Sequence, residues 1–336
     1  MIDSLKTVAA TAANYSGLPD GYAFLRRKLT KSQVGILLYH RVCPSNDNWN
    51  LKPLSPRSFE RQMEYFHRNY EILSLDRLVQ YIQQGRPLPE KAVVITFDDG
   101  YKDNYLYAYP ILVKHGIPAT IFLTTGHIGS SKLFWFDEVK YLVQLTPLNQ
   151  LELNELGSYP LQTEVDRFRT SLIISRRLRN LPEERKKKLV EKLINTCQVD
   201  IPDNLGEELF LSWDEVREMG DDGISFGAHT VNHPVLTNLP LQRARWEIVQ
   251  SKKDIEEKLG KEVTAFAYPF GPFNAEIVRL VKESGFTSAV TTESGLVNAK
   301  TNPYKLPRIG AVRDFNKFKV VFSGLYQDLR LGRLLK

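Results

Sequence analysis

Short apolar runs alternate with helical patterns along most of this 336-residue chain, and that alternation restricts the fold more than any other feature. Val34–Tyr39, Ala92–Phe97 and Ala119–Thr124 read as buried strands, with Glu71–Leu73 a shorter one. Ser58–Tyr70 carries Phe59, Met63 and Phe66 at helical spacing; Leu75–Gln84 and Tyr101–His115 are further helices, the last closed by Gly116 and Pro118. The pattern resumes after residue 210. Trp213–Met219, Leu241–Leu259 and Ala275–Ser284 are expected helices, and Ile224–Gly227, Thr264–Tyr268, Phe286–Thr291 and Tyr304–Ile309 expected strands. Strands separated by helices imply a parallel sheet, and about seven such units imply a closed or nearly closed β/α barrel.

The alternation stops between residues 131 and 210. That stretch is mainly charged helix (Val165–Arg179 and Pro182–Thr196) and reads as an insertion on a βα loop, where site walls are commonly built. The expected organisation is an N-terminal helical flank over 1–30, a barrel over 31–312 and an amphipathic C-terminal helix over 313–336. In that last helix Phe318, Val321, Phe322, Leu325 and Leu329 form a stripe among Lys317, Lys319, Arg330, Arg333 and Lys336. Docking on the barrel is its ordinary use; a basic helix resting on a membrane surface is the alternative.

Charge narrows the function classes. The net charge is +6, and ten of the cations lie between Val165 and Lys192, where a solvated helical face explains them. No nucleic-acid motif accompanies them. The two cysteines, Cys43 and Cys197, form no disulfide framework and no zinc knuckle. The first thirty residues lack a secretory pattern and no stretch reaches the length of a membrane span, so a cytoplasmic protein, peripheral to the membrane at most, is expected.

The chemistry concentrates at two places. After the strand Ala92–Phe97 come Asp98, Asp99 and Gly100. Asp-Asp-Gly is also ordinary turn chemistry. Two adjacent carboxylates repel each other, however, unless a cation or a shared proton relieves them. After the strand Ile224–Gly227 come His229 and His233, four apart, a spacing that lets two imidazoles reach one metal. In a parallel barrel both segments reach the same rim. Two His and one Asp around a divalent ion, with an open position for water, match catalytic zinc logic; the remaining carboxylate is free to take a proton. Zinc is the expected ion, with cobalt, nickel or iron also accepted by such sites.

Thr96-Phe97-Asp98-Asp99-Gly100 and His229-Thr230-x-x-His233-Pro234 resemble the first two motifs of the polysaccharide deacetylases with a NodB homology domain, carbohydrate esterase family 4. The resemblance covers about residues 31–312. It implies a distorted (β/α)7–8 barrel and metal-dependent hydrolysis of N-acetyl groups on amino sugars of a polysaccharide or glycan. By it, Asp98 is the general base and Asp99, His229 and His233 hold the metal. The third motif, usually Arg-x-Pro-Tyr-Gly, is here Ala267-Tyr268-Pro269-Phe270-Gly271. The loop is kept, with the Phe270 N–H in the oxyanion role. The arginine that usually partners the base is lost, and Arg308 is its candidate replacement. No histidine follows His233, so the family's C-terminal general acid is missing too. His40, ending the first strand, is the candidate, as in the permuted subgroup that includes poly-N-acetylglucosamine deacetylases. Tyr268, His127 and Trp135 are candidate substrate contacts, and His67 and His115 are expected to be structural or exposed. Two other readings remain: an O-acetyl esterase with the same site, and a non-catalytic glycan- or membrane-associated scaffold.

Overall fold

A computed structural model of the chain describes residues 21, 33–44, 54–153 and 155–323. The expected N-terminal flank, residue 21 apart, and the last part of the C-terminal helix, from residue 324, lie outside them.

The alternation becomes a parallel barrel. Its strands are β1 (Gly35–Tyr39), β3 (Ala92–Phe97) and β4 (Ala119–Leu123), then β7 (Ser225–Ala228), β8 (Ala265–Ala267), β9 (Ser288–Ser294) and β10 (Leu306–Gly310). Each pairs in parallel with the next, and β1 closes the ring by pairing with both β3 and β10. A short β2 (Glu71–Leu73) flanks β3. The runs that read as unbroken apolar segments, β1, β3 and β4, are buried at every position, as strands covered on both faces must be.

The helices follow their caps. Helix α1 (Pro56–Asn69) begins two residues before the apolar spacing suggests, because Ser55 accepts the Ser58 N–H and Pro56 takes the first helical position. Helix α2 is Leu75–Gln83. The expected helix Tyr101–His115 is divided: a π-type turn over Asn104–Ala108 precedes α3 (Tyr109–Lys114). Pro110 has no N–H to return to the Leu106 carbonyl, and the turn before it widens. The later barrel helices are α8 (Trp213–Asp221), α9 (Leu241–Leu259) and α10 (Ala275–Glu283).

The insertion is more than charged helix. Between α4 (Trp135–Leu145) and α5 (Glu164–Arg179) lies an antiparallel hairpin, β5 (Gln150–Leu153) with β6 (Gly157–Pro160). Helices α6 (Glu183–Cys197) and α7 (Leu205–Leu209) complete it. Leu151, Leu153 and Tyr159 of the hairpin join Val139, Leu142, Ile174, Leu178 and Leu193 in an apolar core separate from the barrel's. The C-terminal α11 (Phe315–Phe322) docks: Phe318 and Phe322 are buried against Phe66 and Tyr70. Among the described residues no helix is long and apolar enough to cross a membrane.

Candidate active site

The carboxyl ends of the barrel strands surround a cleft of about 520 Å³. Asp98 and Asp99 leave β3, His229 and His233 leave β7, Phe270 follows β8, and Thr292 sits on β9. Gly310, Ala311 and Arg313 come from β10 and the segment after it, and His40 and Arg41 from the end of β1. Ring closure brings the two ends of the barrel together: the Asp98 N–H donates to the Tyr39 carbonyl at 3.0 Å and the Ala311 N–H to the Leu38 carbonyl at 2.9 Å.

The two aspartates meet different partners. Asp98 is buried and takes a two-pronged bond from Arg308, Nη1 to Oδ1 at 2.7 Å and Nη2 to Oδ2 at 2.6 Å. Arg308 is held in turn by donation from Nε to the Thr291 carbonyl at 2.8 Å and from Nη1 to Thr96 Oγ1 at 3.2 Å. Burial pushes the Asp98 carboxyl upward, but Arg308 and then His229 outweigh it and hold the group below the usual carboxylate range. A paired guanidinium and carboxylate of this geometry tolerate burial that neither would alone.

Asp99 faces the imidazoles. Its Oδ1 makes no hydrogen bond, standing 3.5 Å from His229 Nε2 and 3.3 Å from His233 Nε2. The two Nε2 atoms are 3.1 Å apart. His229 Nδ1 donates to the Ala267 carbonyl at 2.8 Å, which leaves Nε2 with its lone pair toward Asp99. Three donors around a tetrahedral ion with bonds near 2.1 Å would stand roughly 3.4 Å apart. The observed separations of 3.1 to 3.5 Å fit that arrangement, and a bound cation would satisfy the orphaned buried carboxylate oxygen.

The backbone at the site is strained. Among the described residues, five other than glycine have positive φ, and four of them are Asp99 at 79°, Thr230 at 66°, His233 at 55° and Phe270 at 58°. Such conformations persist where the surroundings over-determine them, and they cluster at functional sites.

Other sequence-derived candidates sit elsewhere. His40 is exposed in the cleft, and the loop carrying it is fixed by Asn104 Nδ2 on the His40 carbonyl at 2.8 Å and by Asp103 on Arg41 Nε at 2.6 Å. Tyr268 and His127, expected at the substrate, do not line the cleft. The Tyr268 ring is fully buried behind the rim, its hydroxyl donating to the Tyr304 carbonyl at 3.0 Å. His127 is buried against Phe134 and Phe210, with Nδ1 donating to the Lys132 carbonyl at 3.1 Å. An apolar ring environment claims both side chains before the cleft can. Trp135 is half-buried beside the wall, 6.2 Å from the Phe270 ring; its neighbour Phe136 lines the cleft instead. Tyr101, Lys140, Thr292 and Arg313 also line it and carry no motif signal. Tyr101 directly follows Gly100, so its position next to the aspartate pair was the one available cue.

Residues 85–289 match the family model described as polysaccharide deacetylase. YxkH of Bacillus subtilis, named for the same family, is 26% identical over 279 residues, covering 83% of this chain and 71% of that one. The poly-β-1,6-N-acetyl-D-glucosamine N-deacetylase of Staphylococcus aureus is 24% identical over 257 residues, covering 76% and 67%. Among solved structures, the fold is similar to the Streptococcus pyogenes deacetylase PplD, with TM-score 0.60 at 21% identity over 87% of this chain and 99% of that one. It is also similar to IcaB from Ammonifex degensii, with TM-score 0.58 at 19% identity over 87% and 97%. With more than half of its length inside the family match and the barrel around it, the chain belongs to the polysaccharide deacetylase family and is a hydrolase.

Proposed function

We propose that the chain is a metal-dependent N-deacetylase that releases acetate from amino sugars of a polysaccharide or glycan. One observation carries the reading: a buried carboxylate fixed by a guanidinium shares the cleft floor with three donors spaced for one cation. Asp99, His229 and His233 would hold a divalent metal, with zinc the expected ion for two imidazoles and a carboxylate. When bound, such an ion supplies Lewis-acid polarisation and makes water more acidic.

The chain's own groups do the rest. Asp98, kept ionised by Arg308, accepts a proton from the attacking water. The Phe270 N–H donates to the developing oxyanion. His40, across the cleft, gives a proton to the nitrogen as the C–N bond breaks, since a neutral amine leaves and an amide anion does not. Phe136, Phe270 and Tyr101 supply aromatic surface against a sugar ring. The sum is water and acetamide in, acetate and free amine out. Poly-β-1,6-N-acetylglucosamine, named for the Staphylococcus aureus relative, is the first polymer to try.

The test couples metal analysis of the purified chain to acetate release from N-acetylated and O-acetylated glycans. Asp99→Ala and His229→Ala are expected to lose both metal and turnover. His40→Ala should keep the metal and lose about 10²- to 10⁴-fold in rate, the usual worth of a general acid. Full activity in Asp99→Ala would refute the ligand assignment. Release from O-acetyl substrates alone would replace the amide reading with an esterase, and bound metal without any release would favour a scaffold.

A further inference from the structure

Glu247 is a buried carboxylate that the reaction as derived does not use. It is 1% exposed and lies on the core-facing side of α9, between Ala244 and Ile248. Its Oε2 accepts the N–H of Val231 at 3.0 Å and of Asn232 at 2.9 Å; its Oε1 accepts the Asn232 side-chain Nδ2 at 2.9 Å and Arg243 Nη2 at 3.2 Å. Val231 and Asn232 are the two residues between Thr230 and His233, whose φ angles are +66° and +55°. Successive N–H groups in a turn of this kind form a concavity that attracts an anion. Here the anion is a side chain of the same molecule. A second tie runs inside the loop, from the His233 N–H to Thr230 Oγ1 at 3.0 Å. The loop is strained at both ends, and strain of this kind persists only where neighbouring groups impose it.

We infer that Glu247 is a positioning residue: its carboxylate holds the 229–233 loop in the strained conformation that aims both imidazoles at one point. The inference rests on the reading of Asp99, His229 and His233 as a metal site. It extends that reading from the ligands to the group that sets their geometry before any ion arrives. A carboxylate is needed rather than an amide. Glu247 accepts from four donors, and a glutamine would turn its own NH2 toward one pair of them.

The experiment measures zinc affinity of the full-length chain by chelator competition, alongside Tm of the metal-free protein. Glu247→Gln is expected to weaken zinc binding 10- to 100-fold, the usual effect of losing a group that orients a ligand. Ile248→Val, beside it on the same helix, should lower Tm and leave zinc affinity unchanged. Equal zinc affinity in Glu247→Gln and the unaltered chain would overturn the inference, as would a loss no larger than that of Ile248→Val at matched Tm. Hydrogen exchange of the unaltered, metal-free protein gives a reading that needs no variant to fold. The Val231 and Asn232 amides should be protected without zinc, and rapid exchange there would also overturn it. If the unaltered chain binds no zinc, the metal reading itself has failed, while protection of those two amides would still stand.

Discussion

Arg308 shows how far one residue's neighbours decide its meaning. Nothing in Leu306-Pro307-Arg308-Ile309 announces a site, and the residue was legible only as a substitute for the arginine that Ala267 displaced. In the fold it is fully buried and four of its five N–H donors are used, two on Asp98 and one each on Thr291 and Thr96. Arg308→Leu should therefore leave Asp98 buried without a partner, costing about 3–5 kcal/mol in a urea melt. With the guanidinium gone, burial raises the Asp98 carboxyl, so the acid limb of the pH–rate profile should move to higher pH; an unmoved limb would separate Asp98 from the base role. His127 gives a second residue-scale expectation, of opposite origin. Burial lowers its pKa from 6.5 to about 4, because the charged ring would lose its water. The unfolded chain thus binds the proton first, and stability present above pH 6.5 drains away as pH falls toward 4, by up to about 3 kcal/mol. His127→Asn, which keeps a donor for the Lys132 carbonyl, should flatten that part of the stability–pH curve. The same slope in both proteins would place the acid sensitivity elsewhere.

At the scale of elements, periodicity carried the barrel and failed where pattern is short. The strand Ala92–Phe97 and the helix Leu241–Leu259 agree end to end with the expectation, the first because its apolar run is unbroken and bounded, the second because it is long enough to show its period. The hairpin β5–β6 was missed: four residues per strand, Gln150–Leu153 and Gly157–Pro160, give two alternations at most, beneath the charge of the helices that follow. The loops after the strands carry the site, and their shapes depend on backbone the side-chain pattern does not report. Gly271 is the clearest case. Its φ is +97°, and a Cβ there would fall 1.8 Å from Thr292 Oγ1, a residue that lines the cleft. Gly271→Ala must shift either the Phe270 turn or β9, and we expect it to lose activity more than tenfold along with stability. Gly116 also has positive φ, +61°, but open space around it, so Gly116→Ala should cost about 1 kcal/mol for the backbone alone and leave turnover intact. Equal activity in the two variants would show that the Phe270 turn does not shape the reaction.

For the whole molecule, the question is which parts of the site the fold builds without a cation. Closure of β1 onto β10 brings Leu38 against Gly310 and carries His40 to the same rim as Asp98. The Asp98–Arg308 pair, the Ala267 tie on His229 and the Glu247 clamp are all protein–protein contacts. None needs an ion, and the barrel and insertion cores are assembled from apolar side chains that do not depend on one. A chelator should accordingly leave the fold in place and remove only the stabilisation that binding adds. At free zinc 100 times Kd, that is about 2.7 kcal/mol. In a chain of this length each kcal/mol moves Tm by roughly 1.5 °C, so metal removal should lower Tm by roughly 4 °C with the far-ultraviolet circular dichroism unchanged. Readdition of zinc should restore both Tm and acetate release. Loss of secondary structure on chelation would mean that the cation helps build the barrel rim instead of occupying a rim already built. An identical Tm with and without chelator would count against a bound metal altogether, because three buried donors cannot take up an ion in the folded state alone without stabilising it.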